Sequence, residues 1–67
     1  MAMVKVIEVL AESDTSWEDA AREAVKYAGK TIKNIRSVYV SDQSCVVKNN
    51  EISKFRVNVK ISFEVDR

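Results

Sequence analysis

Hydrophobic and polar residues alternate along the last part of the chain. The apolar members are Phe55, Val57, Val59, Ile61, Phe63 and Val65, and the polar members between them are Arg56, Asn58, Lys60, Ser62 and Glu64. This period of two is typical of a strand with one apolar and one polar face. Residues 55–65 therefore predict a long central strand, which needs an apolar cover on one face and hydrogen-bonded neighbours along both edges.

A stripe of mostly small apolar residues predicts one amphipathic helix over residues 17–33. Its members recur at three- and four-residue spacing and are Trp17, Ala20, Ala21, Ala24, Val25, Ala28 and Ile32. Ser16 stands three residues before Asp19, which is an approximate capping box at a helix start. Because most of the stripe is alanine, the helix can lie close to a sheet, with Trp17 as a bulky core anchor rather than a binding residue.

Two more segments have strand character. Residues 3–10 are rich in valine and isoleucine and carry apolar side chains on both faces. A strand with two apolar faces is typical of a sheet on which a second subunit packs. Residues 34–47 form the other strand, and Asn49 and Asn50 in the turn after it suit the positive φ angles of a tight hairpin.

The predicted order of elements is strand, helix, strand, strand. The helix returns the chain across the sheet, so the first two strands run parallel to each other and antiparallel to the third. All neighbouring pairs are antiparallel only if the third strand lies in the middle. We therefore predict an α+β fold with strand order 1-3-2 and one helix on one face. If Val38 and Val40 face that helix, the uncovered face carries a polar set: Ser37, Tyr39, Ser41 and Gln43.

Composition adds bounds on size, compartment and partners. A chain of 67 residues forms one domain, residues 1–67, and buries only about 60% of its unfolded surface, so we expect oligomerisation to support its stability. The single Cys45 allows no internal disulfide, and no apolar run is long enough to cross a bilayer, so we expect a cytoplasmic protein. The net charge of +1 offers no general attraction for nucleic acids or anionic membranes.

Taken in order, these segments resemble the dodecin family over the whole chain. The likeness lies in VKVIEVLAESDTSWEDAAREAVKYAGKTIKNIR, in the VSDQ run at residues 40–43, and in the last strand FRVNVKISFEV. The resemblance implies a hollow, spherical homododecamer of cubic symmetry built from β-α-β-β subunits. It also implies that flavins, riboflavin or FMN, bind in pairs at subunit interfaces for storage, buffering or photoprotection.

The resemblance further implies how a flavin would be held. In the family, a tryptophan on the second strand stacks on the flavin, and a glutamine on the third strand bonds the edge of the ring. Ser37 and Arg56 stand at these two positions here. A serine has no π face, whereas Arg56 can stack on a ring, hold a phosphate, or only pair with an acid at an interface. The candidate ligand-binding residues are Ser37, Tyr39, Gln43 and Arg56.

The altered contact positions motivate a second hypothesis, a flavin-free shell. Such a shell would bind a hard cation such as calcium or magnesium, bind an unknown ligand, or be purely structural. The candidate metal ligands are Glu12 and Asp14, or Asp42 with a symmetry mate, because oxygen ligands gather readily at a symmetry axis, although solvated carboxylates are the simpler interpretation. We predict no enzyme, since the chain has no histidine, no glycine-rich phosphate loop and no nucleophile beside a base.

Overall fold

The computed structural model describes residues 3–65, which form three strands and one helix. The elements are β1 (Met3–Ser13), α1 (Trp17–Ala28), β2 (Ile35–Lys48) and β3 (Glu51–Val65). Both pairings in the sheet are antiparallel, and the strand order is β1-β3-β2. The predicted β-α-β-β arrangement with the last strand in the middle is confirmed, and β1 and β3 are longer than the predicted 3–10 and 55–65.

The core is the contact between the middle of β3 and one face of the helix. Val57, Val59 and Ile61 are fully buried at 0% exposure, and they pack against a row of helix alanines: Ala20, Ala24 and Ala28. Since alanine side chains are short, the helix backbone lies close to the sheet. The apolar half of the alternation in β3 therefore faces the helix, as its period of two predicts.

Trp17 anchors the first turn of the helix to the sheet. Its ring meets Phe55 edge to face, with 5.2 Å between ring centroids. Its indole Nε1–H donates a hydrogen bond to the Ser44 carbonyl oxygen at 2.9 Å. The predicted role of Trp17 as a core anchor is confirmed, because the side chain packs on the buried cluster and reaches both β2 and β3.

The helix starts with the predicted Ser16 cap, and a third residue, Ser13, joins the hydrogen bonds between Ser16 and Asp19. The Ser16 hydroxyl accepts the Asp19 backbone N–H at 2.9 Å. The Asp19 carboxylate accepts a hydrogen bond from the Ser13 hydroxyl at 2.6 Å, and that hydroxyl accepts the backbone N–H groups of Thr15 and Ser16. Ser13 is itself buried, so the end of β1 and the start of α1 form one hydrogen-bonded corner.

The helix ends at Ala28, and the predicted end at residue 33 is wrong. Gly29 caps the helix by donating its backbone N–H to the Val25 carbonyl, and the next residues form a turn. Thr31 and Ile32 are β-branched and favour a helix only weakly, and the chain must turn back here to enter β2. Ile32 still packs on the core from the turn, which explains why it fits the apolar stripe.

The hairpin between β2 and β3 is tight and as predicted. Asn49 and Asn50 have φ angles of 52° and 63°, the left-handed values that a two-residue hairpin loop of this kind requires at both positions. Asparagine tolerates this conformation better than other residues with side chains.

The helix covers only part of the sheet. The protein is 51 Å long, whereas a helix of 12 residues spans about 18 Å. The outer face of β1 is also bare, and its apolar residues Val4, Val6 and Leu10 are 57%, 57% and 61% exposed. Of the two apolar faces predicted for residues 3–10, one therefore packs on the core and the other lies at the surface.

Replacing Ser16 by alanine should test the helix cap. The loss of the hydrogen bond to the Asp19 N–H should lower the free energy of unfolding by about 1 kcal/mol, measured by urea denaturation. Thr15→Ala is the matched control, because Thr15 contributes only its backbone N–H to the corner. Equal losses in the two variants would contradict the assigned cap.

Candidate functional site

The sheet face opposite the helix, here called the open face, is the candidate site. Directly paired residues of an antiparallel sheet share a face, so the strand register identifies its members. They are Val4, Val6, Glu8, Leu10 and Glu12 on β1, Arg56, Asn58, Lys60, Ser62 and Glu64 on β3, and Ser37, Tyr39, Asp42 and Ser44 on β2. Charged and apolar side chains are thus mixed on one surface.

Ser37 lies at one end of the open face and is hydrogen-bonded within the protomer. The register of β2 shifts between Ile35 and Ser37, and Ser37 stands opposite Ser62 of β3. The two hydroxyl groups are 2.5 Å apart, and Arg36 beside them forms an ion pair with Glu64. Ser37 therefore presents a small hydroxyl pair where the family resemblance implies an aromatic ring.

Arg56 lies toward the other end of the open face and is held by Glu12. The two residues are direct partners in the pairing of β1 with β3. Arg56 donates from Nε at 2.9 Å and from Nη2 at 2.5 Å to the same oxygen, Glu12 Oε2. Two donors of the guanidinium fork therefore bind a carboxylate of the same protomer. The sequence had suggested an acid partner for Arg56 at an interface, and the structure places one within the chain.

Asp14 also binds a cationic side chain. Its carboxylate accepts a hydrogen bond from Lys54 Nζ at 2.8 Å. This hydrogen bond, and secondarily the charge of Lys54, lowers the pKa of the Asp14 carboxyl, and Asp14 in turn raises the pKa of Lys54. Glu12 and Asp14 are therefore each paired with a base. Within residues 3–65, no group of three or more His, Cys, Asp or Glu side chains lies close enough to hold a metal ion.

The centre of the open face holds two rows of side chains, one on each side of a bulge in β2. One row is Glu8, Lys60 and Tyr39, and the other is Leu10, Asn58 and Asp42. Tyr39 is 65% exposed. The Asn58 Oδ1 atom is buried and has no hydrogen-bond partner in the part of the chain that the structure describes.

Gln43 does not lie on the open face, so the prediction that it shares a face with Ser37 is wrong. A bulge places two residues of β2, Ser41 and Asp42, opposite Asn58 of β3. The extra residue reverses the alternation of β2 beyond this point, and Gln43 pairs with the fully buried Val57 on the helix side. The same bulge brings Asp42 onto the open face, a placement that strict alternation from Val40 does not predict.

The sequence carried little signal for the remaining polar contacts. The pairing of Arg56 with Glu12 depends on the register between β1 and β3, which alternation alone does not set. The bulges contain no glycine, the residue that would have indicated them.

The helix described within residues 3–65 is too short and too polar to cross a membrane.

Comparison with known proteins identifies the family of this fold. The sequence profile of dodecins matches residues 3–66. The calcium dodecin of Mycobacterium tuberculosis is 35% identical over 65 residues, which make up 97% of this chain and 92% of that protein. The chain belongs to the dodecin family. The family resemblance drawn from the sequence is therefore confirmed.

Solved dodecin structures share the fold. The dodecin of Streptomyces davaonensis superposes with a TM-score of 0.92 at 20% identity, covering 98% of this chain and 97% of that one. The crystal structure of the Mycobacterium tuberculosis calcium dodecin, a calcium-chelating protein with a novel calcium-binding site, superposes with a TM-score of 0.84 at 35% identity. That match covers 96% of this chain and 91% of the other.

The Asp14–Lys54 pair predicts a measurable pKa change in a variant. In Lys54→Gln the pKa of Asp14 should rise back toward its ordinary value, whereas Lys48→Gln should leave it unchanged, as carboxyl NMR signals can show. Because the folded state lowers this pKa, the pair favours the folded state at neutral pH, and that contribution is lost as the pH falls through the lowered value. An unchanged Asp14 titration in Lys54→Gln would contradict the contact.

Proposed function

We propose that this dodecin is a homododecameric binding protein whose main ligand is a divalent cation, calcium first, rather than a flavin. The observation that carries the proposal is that both flavin-contact positions are engaged inside the protomer. Ser37 is hydrogen-bonded to Ser62, and Arg56 is held by Glu12. The proposed role is binding and not catalysis, and the proposed location is the cytoplasm.

The altered contacts weaken the case for tight flavin binding. Aromatic stacking contributes about 0.5–1.5 kcal/mol beyond the area it buries, and a serine hydroxyl supplies neither the area nor the π face. Moving Arg56 onto a flavin would also break its bonds to Glu12 and leave that carboxylate unpaired. Tyr39 is the exposed aromatic ring on this face, so weak flavin binding beside it is the second candidate function.

Oxygen ligands on the open face support the cation. Asp42 is exposed and forms no ion pair within residues 3–65, unlike Glu12 and Asp14. Calcium takes six to eight oxygen ligands, more than one exposed carboxylate provides. Copies of Asp42 brought together around a symmetry axis would supply the missing oxygens. The relative from Mycobacterium tuberculosis, which is named a calcium dodecin, supports calcium over other cations.

The bare surfaces of the protomer support assembly into a shell. Val4, Val6 and Leu10 form a stripe of three exposed apolar residues along β1. Glu8 lies between Val6 and Leu10 on this face, and grouped exposed apolar residues of this kind mark interaction sites in small proteins. Burial of this stripe between copies would supply the stability that a 67-residue domain has difficulty reaching alone.

Calcium titration of the assembled protein tests the proposed ligand. Calcium should release or absorb heat in calorimetry and raise the melting temperature, since a ligand at 100 times its dissociation constant adds about 2.7 kcal/mol per site. Asp42→Asn should remove most of the effect, and Glu23→Gln, an exposed helix acid, should not. No heat and no thermal shift at millimolar calcium would reject calcium binding.

A flavin titration tests the positions of the lost contacts. Wild-type protein should quench riboflavin and FMN fluorescence only weakly, whereas Ser37→Trp combined with Arg56→Gln should bind both flavins more tightly, because it restores a stacking ring and a ring-edge amide. No gain in the double variant would mean that Ser37 and Arg56 are not the contact positions. Tight binding by the wild type would instead make flavin storage the function.

A further inference from the structure

The β2–β3 hairpin extends beyond the rest of the fold as a two-stranded arm, residues 46–53. β1 ends at Ser13 opposite Phe55, so within residues 3–65 no third strand pairs with the arm. Val47 and Ile52 are paired across it and are 60% and 59% exposed. A two-stranded hairpin is at best marginally stable by itself, so this apolar pair, which lies directly behind the polar end of the arm at residues 48–51, calls for a contact outside its own protomer.

A groove of matching character lies between the helix and β2. Its volume is about 430 Å³ and its surface is almost entirely apolar. The lining residues are Glu18, Ala21, Arg22, Val25, Lys26 and Val38. The groove exists because α1 packs mainly over β1 and β3, which leaves Val38 and Val40 of β2 only partly covered.

We propose that the arm of one copy lays its Val47–Ile52 pair into this helix–strand groove, between α1 and β2, of a neighbouring copy. This inference rests on the proposed assembly and assigns one of its contacts. A narrow two-stranded arm fits between a helix and a strand, whereas the stripe of Val4, Val6 and Leu10 belongs to the wider three-stranded sheet and does not. The tight Asn49–Asn50 turn joins the two strands of the arm in one geometry before binding, which lowers the entropy cost of docking.

Charges on the two surfaces are complementary. Lys48 and Glu51 form the last pair of the arm, next to the apolar pair Val47 and Ile52. The rim of the helix–strand groove carries Glu18 at one end of its helix side and Lys26 at the other. Arg22 already binds Glu18 in the groove, whereas Lys26 and Glu51 form no ion pair within residues 3–65. Glu51 of the arm can therefore meet Lys26 of the rim, and this pairing selects one orientation of the arm.

The contact is head to tail, because the arm and the groove are different surfaces. Such contacts build rings when the rotation between neighbours closes. The arm contact would thus generate cyclic units, and the exposed stripe on β1 would remain available to join those units.

A disulfide experiment tests the contact in the full chain. The variant Val38→Cys with Val47→Cys, in a Cys45→Ser background, places thiols in the groove and on the arm. The two positions lie nine residues apart on one strand, roughly 30 Å, so they cannot bond within a chain. Mild oxidation should therefore give covalent multimers on a non-reducing gel, and the control Tyr27→Cys with Val47→Cys should give none.

A second variant gives an answer if the cysteine variant fails to fold. Val47→Ser with Ile52→Ser changes only exposed side chains and should weaken assembly at least about tenfold, read by native mass spectrometry on dilution. The control Tyr27→Ser, at an exposed site on α1, should not weaken assembly. This inference alone is overturned if the wild type assembles, the cysteine variant gives no covalent multimers, and the serine variant assembles as tightly as the wild type. A monomeric wild type overturns the proposed assembly as well.

Discussion

The packing of three β3 side chains on a row of helix alanines is the interaction on which this structure depends. Val57, Val59 and Ile61 are fully buried there, and the short alanine side chains let the helix lie against the sheet. The corner of Ser13, Ser16 and Asp19 fixes where the helix begins. This compact core occupies only the middle of a molecule 51 Å long.

The small core explains why so much apolar surface is left over. The helix covers one side of the middle of the sheet, so the stripe along β1, the groove beside β2 and the tip of the hairpin arm are all exposed. Single exposed apolar residues are ordinary, whereas several grouped surfaces on one small chain indicate contacts with other copies. Membership of the dodecin family agrees with this interpretation.

The open face differs from the flavin site that the family resemblance implies. The resemblance assigns flavin contacts to positions 37 and 56, and here both side chains have partners in their own protomer. An arginine opposite Glu12 becomes part of an ion pair instead of a free ring contact. The surface that remains offers carboxylate and amide oxygens near its centre, the kind of ligand that the proposed calcium ion would take.

Local patterns determined the elements, and long-range pairing determined the site. Alternation in β3, the alanine stripe, the Ser16 cap and the pair Asn49 and Asn50 each act within a few residues, so the fold and strand order could be predicted from them. The helix end at Ala28 and the bulge that turns Gln43 to the helix side depend on fitting two strands and a turn together. The pairing of Arg56 with Glu12 likewise joins residues far apart in the chain, and only the strand register, a tertiary property, decides which side chains meet.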